Sequence, residues 1–127
     1  MDTIPQQSPI YRAIKSNRWK EKKPSAFLLR RQLTDGKPEE ELSVITKADC
    51  TKEVCFAKQN TCFGEFKLLA EHIRELGLDV VPRQLDDNPY HAAIINLPLY
   101  TEENIKEAER IAGLLAKKVL SVQLRPK

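Results

Sequence analysis

One block of the sequence, residues 64 to 97, constrains the fold more than any other. It opens with Glu65 to Leu76, where apolar residues recur at spacings of three and four, a pattern that predicts an amphipathic helix. Gly77 follows, and glycine often takes the left-handed conformation that ends a helix. Two apolar segments then predict strands, Leu78 to Val81 and His91 to Leu97. A helix followed by two strands indicates a domain in which helices cover a sheet.

The remaining segments add strands and a last helix. Ser25 to Leu33 alternates apolar with polar residues, and the turn residues after it favour an antiparallel pairing with Leu42 to Thr46. Ile10 to Ile14 fits either a strand or a short helix. Lys52 to Gln59 fits a short helix, and Thr101 is the expected cap of the last helix. The apolar stripe of that last helix comprises Ile105, Ala108, Ala112, Leu115 and Val119.

These segments predict a single α+β domain over residues 10–122, between a disordered tail at 1–9 and a basic C-terminal tail at 123–127. The expected architecture is a small mixed or mostly antiparallel sheet of four to five short strands, with two main helices packed on one face. A chain of 127 residues is within the usual range for one domain. Gly113 inside the last helix costs about 1 kcal/mol relative to alanine, which indicates close packing at that point.

Composition indicates a cytoplasmic protein. The chain is 41% apolar and 31% charged, and no segment approaches the roughly 20 apolar residues of a membrane span. The N-terminus lacks the basic-then-apolar pattern of a secretory signal. Three cysteines, an odd number, do not suggest a disulfide framework, so a reducing compartment is expected.

The N-terminal third is basic, since residues 1–34 carry eight basic side chains and two acidic ones. Nucleic acid is therefore a candidate partner of the basic arm at residues 12–31, which includes Arg12 and Arg18, with Tyr11 and Trp19 as stacking platforms. The alternative is a solvated arm, because the sequence contains no recognisable helix-turn-helix, zinc-finger or aromatic RNA-binding motif.

Several chemistries are excluded or disfavoured by the pattern of glycines and cysteines. The four glycines are scattered, so neither a dinucleotide fingerprint nor a phosphate-binding P-loop occurs. Cys50, Cys55 and Cys62 contain no C-x-x-C pair and lack an evident fourth ligand, which favours structural thiols over zinc. No metal and no cofactor is predicted.

His91 is the polar residue of the central block with the strongest claim on function. Its strand resembles the histidine strand of two-histidine phosphoesterases, but Ala93 stands where those enzymes hold phosphate with a hydroxyl, and His72 falls within a predicted helix. No G-x-S-x-G turn supports a serine triad. Two interpretations stay open: a strand-capping histidine bonded to the Asp86–Asp87 loop, or a residue that contacts a ligand or partner.

Several short phrases stand in a recognisable order over roughly residues 18 to 97: Pro24 to Phe27 with Leu29-Arg30, Leu42 to Val44, Gly64, Gly77 to Pro82, and Asn88 to Ile94. Together they resemble a family of small bacterial proteins of unassigned function. The resemblance implies a prokaryotic, intracellular, single-domain protein, and it singles out Arg30 and His91.

Three functions remain open on the sequence, and whether the protein is an enzyme is not decided. The first is a non-enzymatic protein-interaction module, such as the small accessory subunit of a bacterial assembly. The second is a small enzyme or a nucleotide- or anion-binding domain in which Arg30, Arg31 and His91 surround a phosphate or other anion, because arginine can bond two oxygens at once. The third is nucleic-acid binding by the basic N-terminal arm.

Overall fold

The computed structural model describes residues 3–14, 27–30, 35–47, 64–86 and 89–124. Strands and helices alternate irregularly along these ranges. In chain order they are β1 (Pro9–Ala13), β2 (Leu42–Ile45), β3 (Gly64–Leu69), α1 (Ala70–Arg74), β4 (Asp79–Pro82), β5 (His91–Ile95), α2 (Ile105–Lys117) and β6 (Ser121–Leu124).

The strands form one six-stranded sheet in the order β4-β5-β2-β1-β3-β6. Every neighbouring pair is antiparallel. The predicted α+β class and antiparallel sheet are therefore confirmed. The predicted count of four to five strands is wrong, and so are the two main helices: in the described ranges α2 is the one long helix, with 13 residues, whereas α1 has five.

The largest error concerns the helix predicted over residues 65–76, whose first half is strand β3. Phe66, Leu68 and Ala70 are completely buried and lie at alternate positions, as on one face of a strand. The same sequence also fits a helical stripe, so its pattern alone does not decide. The strand pairing decides in favour of a strand, because β3 lies between β1 and β6 and is hydrogen-bonded to both. The helix keeps only the turn Ala70–Arg74, and Gly77 ends it with a φ of 82°, as expected.

Other segments agree with expectation more closely. The predicted strands at 42–46, 78–81 and 91–97 correspond to β2, β4 and β5. The last helix is also confirmed, but it begins at Ile105 after a turn in which the Asn104 N–H donates to the Thr101 carbonyl. Thr101 is therefore not its cap.

The hydrophobic core lies on one face of the sheet, called here the core face, and the even-numbered residues of the strands point to it. Helix α2 packs there through Ile111, Ala112 and Leu115. Residues of the core face are Ile10, Leu42, Val44, Phe66, Leu68, Val80, Ala92 and Ile94. The odd-numbered strand residues form the opposite, outer face, which includes Tyr11, Ile45 and His91.

The segment predicted as a strand at residues 25–33 is described only at residues 27–30, and these do not belong to the sheet. Phe27 and Leu29 are instead part of the core, and the ring centroid of Phe27 lies 5.8 Å from that of Phe66. The burial of these two side chains packs the segment over the core face without making it a strand of the sheet.

Several predicted features lie outside the described residues. They are Arg18, Trp19, Arg31, the three cysteines and the short helix at 52–59. Of the predicted C-terminal tail, Gln123 and Leu124 belong to β6.

Candidate interaction surfaces

Arg74 holds the N-terminal segment against the sheet, a feature that the sequence did not reveal. Its Nε donates to Asp79 Oδ1 at 2.8 Å and its Nη2 to the Ile4 carbonyl at 2.8 Å, while Nη1 bonds to Gln6 Oε1. The Ile4 side chain is only 8% exposed. Residues 3–8, predicted as part of a disordered tail, thus pack on the domain.

The start of α1 adds backbone bonds to the same segment. The Ala70 N–H donates to the Ser8 carbonyl at 3.0 Å, and the Glu71 N–H donates to the Gln6 carbonyl at 2.8 Å. The first N–H groups of a helix have no partner within it, so the N-terminal segment satisfies two of them.

Arg12, a predicted nucleic-acid contact, lies within β1 and points to the core face. It is 7% exposed, and its Nη1 donates to the Ser43 carbonyl at 2.9 Å. Burial lowers the pKa of the Arg12 guanidinium from 12.5 to about 10, because the charged form loses its hydration. This guanidinium is therefore not part of an exposed basic surface.

Arg30 and Glu39 form a reciprocal pair near Arg12. The Arg30 N–H donates to Glu39 Oε1 at 2.9 Å, and the Glu39 N–H donates to the Arg30 carbonyl at 3.0 Å. The Arg30 guanidinium, 71% exposed, lies 3.4 Å from the same carboxylate. The nearby charge of Glu39 opposes the lowering of the Arg12 pKa, whereas that of Arg30 adds to it. Glu39 thus neutralises part of the positive charge that an anion would need.

His91 is the first residue of β5, and its ring contacts a backbone group. Its Nδ1 lies 2.8 Å from the Arg83 carbonyl. The expected bond to the Asp86–Asp87 loop falls partly outside the described residues, and the choice between a capping role and a ligand-contacting role stays a prediction. A carbonyl only accepts, so Nδ1 carries the proton and Nε2 is left as the acceptor of the neutral ring. The Arg83 N–H returns a bond of 3.0 Å to the His91 carbonyl.

The proposed grouping of Arg30 with His91 finds no contact in the described ranges. Arg30 bonds to Glu39, which precedes β2, whereas His91 lies opposite Ile45, the last residue of β2. The anion-binding role of Arg30, Arg31 and His91 stays a prediction.

The direction of the backbone groups at the two edges of the sheet follows from the register. In an antiparallel ladder the N–H and C=O of one residue point to the same neighbour, and successive residues alternate. The Ile14 N–H donates to the Gly64 carbonyl at 2.9 Å, and the Ala70 N–H to the Ser8 carbonyl at 3.0 Å. The even-numbered residues of β3 therefore bond to β1, and the odd-numbered ones face β6.

At the β6 edge, this alternation leaves Val122 pointing outward. Ser121 and Gln123 lie opposite Lys67 and Glu65, the odd-numbered residues of β3 that face β6. The N–H and C=O of Val122, between them, point away from β3. Among the described residues neither group has a hydrogen-bond partner.

At the other edge, β4, the outward groups belong to Val80 and Pro82. The bond from the Arg83 N–H to the His91 carbonyl shows that odd-numbered residues face β5. Proline has no N–H, so Pro82 offers an incoming strand only its carbonyl.

Side chains form hydrogen bonds with the backbone N–H and C=O groups of β4 that point away from β5. The Val80 N–H donates to Asp79 Oδ1 at 2.8 Å, and the Val80 carbonyl lies 3.4 Å from Arg74 Nη2. Arg83 Nη1 donates to the Pro82 carbonyl at 3.0 Å. The β4 edge is thus closed to another strand, whereas the described residues around β6 include no such device. Proline and charged groups at an edge are common means of preventing strand addition.

The described residues contain no cluster of three or more histidine, cysteine, aspartate or glutamate side chains placed to hold a metal ion. Neither of the described helices has the length and apolar character that crossing a membrane requires.

The chain matches no protein-family model, and no curated protein or solved structure matches it either. Inference about its function therefore depends on the geometry of its surfaces.

Proposed function

We propose that this protein is a non-enzymatic interaction module that binds an extended segment of another protein along β6. The segment adds a seventh strand to the sheet, a common mode of peptide recognition in which backbone bonds supply affinity. The observation that carries the proposal is the contrast between a closed β4 edge and the outward N–H and C=O of Val122.

The sequence of β6 supports strand addition. Ser121–Leu124 contains neither a charged residue nor a proline, the residues that commonly protect an edge. Just before the strand, Leu120 is 51% exposed and offers a hydrophobic contact to a partner.

The two sides of β6 specify the chemistry of the partner segment. Val122 is partly buried against the core, whereas Ser121 and Gln123 are exposed on the outer face. An added strand would have one face beside Val122 and the other beside the two polar residues. The partner is therefore an extended segment in which apolar and polar residues alternate.

We also propose a biological setting for this interaction. The protein would be a small accessory subunit of a bacterial assembly in the cytoplasm, and the bound segment would come from a larger subunit of that assembly. The support is the resemblance to small bacterial proteins.

The test begins with a photo-crosslinking amino acid in place of Gln123, with the exposed Glu109 on α2 as the matched control position. After cross-linking in the native host, mass spectrometry identifies the partner peptide. A synthetic copy of that peptide is then titrated against the wild type, Val122→Pro and Val122→Ala. Proline removes the outward N–H, whereas alanine keeps it and controls for the lost packing.

We expect cross-links from position 123 but not from 109, and an affinity at least about tenfold weaker for Val122→Pro than for Val122→Ala. Equal affinity of the two variants would overturn the proposal. So would a strictly monomeric protein that gives no cross-link from position 123 in the native host.

A further inference from the structure

A second surface, independent of β6, is an open cleft of about 380 Å³. It lies between the N-terminal segment and the end of the sheet at which β2 and β4 finish and β5 begins. Such a volume is within the roughly 300–1,000 Å³ range of small-molecule sites. The cleft is lined by Thr3, Ile4, Pro5, Ser8, Thr46, Lys47, Pro82 and Tyr90.

The walls of the cleft are preformed. Arg74 donates to the Ile4 carbonyl, and the Ser8 N–H donates to the Pro5 carbonyl at 3.1 Å. These two hydrogen bonds hold the N-terminal segment that forms one wall of the cleft. On the sheet side, the Thr46 N–H donates to the Tyr90 carbonyl at 3.0 Å. A ligand would enter without first ordering these segments, which lowers the entropic cost of binding.

Among the described residues that line the cleft, Lys47 is the one that carries a charge. Its Nζ lies 4.8 Å from the centroid of the Tyr90 ring, a cation–π contact that holds the charge at the rim. In the described ranges no carboxylate pairs with Lys47. The electrostatics of the cleft therefore favour a negative ligand.

The other lining residues divide into two kinds. Ile4, Pro5 and Pro82 offer apolar surface, whereas the hydroxyl-bearing side chains offer hydrogen bonds. The Thr46 hydroxyl already bonds to the Tyr90 carbonyl at 3.2 Å. The arrangement suits a molecule with a compact apolar body and one anionic head.

We infer that this cleft binds a small organic carboxylate, with the carboxylate at Lys47 and the apolar body between the prolines and Ile4. The site requires no catalytic group and no metal. It does not depend on strand addition at β6, which lies at the far edge of the sheet.

The experiment titrates isotope-labelled protein with benzoate at low ionic strength, with benzamide as the neutral probe of nearly the same shape. Backbone amide shifts report the position and affinity of each probe. Lys47→Gln removes the charge of the cleft, and Lys117→Gln removes an exposed lysine on α2 as the matched control.

We expect benzoate to shift the amides of Thr46, Lys47 and Tyr90 and to bind about two- to fivefold more tightly than benzamide. Lys47→Gln should abolish this preference, and Lys117→Gln should retain it. Equal binding of the two probes, shifts confined to residues elsewhere, or no shift at millimolar benzoate would overturn the inference.

Discussion

Arg74 Nε donates to Asp79 Oδ1 at 2.8 Å, and through this bond the last residue of α1 is fixed to the first residue of β4. The same oxygen of Asp79 accepts the Val80 N–H, and the same guanidinium binds the Ile4 carbonyl. One ion pair thus holds the N-terminal segment and closes an edge of the sheet.

Removal of Arg74 should release the N-terminal segment. We expect Arg74→Ala to lower the free energy of unfolding by about 1–3 kcal/mol, because hydrogen bonds of a partly buried charged group are lost. Chemical denaturation measures the loss, and limited proteolysis within residues 3–8 should become faster. The control is Arg110→Ala, which breaks only an exposed pair with Glu107 and should change stability little. Equal effects of the two variants would contradict the role assigned to Arg74.

Asp79 should make stability depend on pH in acid. The hydrogen bond from Arg74 is the main cause that lowers the pKa of Asp79 from 3.8, with a smaller contribution from the Val80 N–H. Since the folded-state pKa lies below the unfolded one, the contribution of Asp79 is fully present above the unfolded pKa and is lost as the pH falls through the folded pKa.

The measurement is the free energy of unfolding of the wild type and Asp79→Asn at several pH values. We expect the wild type to be more stable by a constant amount at pH values well above the unfolded pKa of Asp79, and the two proteins to converge as the pH falls through the lower, folded-state pKa. High salt should reduce the difference, because the Asp79 side chain is 43% exposed. A difference that persists unchanged in acid would refute this assignment.

Two glycines should respond to alanine with opposite signs. A Cβ added at Gly113 or at Gly77 would meet no atom within 4 Å, so steric clash does not distinguish the two substitutions. The close packing predicted at Gly113 is therefore wrong. The backbone conformation distinguishes them, since Gly77 has a φ of 82° and Gly113 lies within α2. We expect Gly113→Ala to raise the free energy of unfolding by about 0.5–1 kcal/mol, and Gly77→Ala to lower it by about 1 kcal/mol or more. Thermal and urea unfolding of both variants is the measurement, and a shared sign would contradict it.

The alternation in β6 predicts unequal effects of proline at adjacent positions. The Gln123 N–H faces β3, and the Val122 N–H faces outward. We expect Gln123→Pro to cost about 1–3 kcal/mol more than Val122→Pro, because only the former breaks a ladder bond. In the wild type, the amide of Val122 should exchange with solvent faster than those of Ser121 and Gln123. Similar exchange at all three positions would show that the assigned alternation is wrong.

The contact of His91 predicts its tautomer. Because Nδ1 donates to the Arg83 carbonyl, the neutral ring should carry its proton on Nδ1. Long-range proton–nitrogen correlation spectra distinguish the two tautomers directly. His72 serves as an internal comparison, since its Nε2 is the nitrogen near Glu71, at 3.9 Å. A protonated Nε2 in neutral His91 would contradict the geometry.

The parts of the fold that the sequence predicted are those with one dominant periodicity. The apolar run from His91 and the stripe along α2 allowed few interpretations, and both elements formed. Residues 64–76 carried two periodicities at once, with Leu68 completing a strand face and Leu69 a helical stripe. The choice between them depends on β1 and β6, which are distant in sequence, so a local pattern could not make it.

The candidate surfaces were less predictable than the fold. His91 was identified, but its bond goes to a backbone carbonyl, which no side-chain pattern reveals. Arg74 was missed because its partners Ile4 and Gln6 lie 70 and 68 residues away along the chain. Pro82, directly after the apolar segment Leu78 to Val81, is a residue type typical of an edge strand.

The unequal edges of the sheet also limit how copies of this chain can assemble. If two copies join through β6, the composite sheet ends at a β4 edge on both sides, and each of these edges is closed by Pro82 and the side-chain bonds of Val80. Growth by strand addition then stops after a single step. The domain can thus offer a strand-pairing edge without the hazard of open-ended fibre formation that such an edge usually carries.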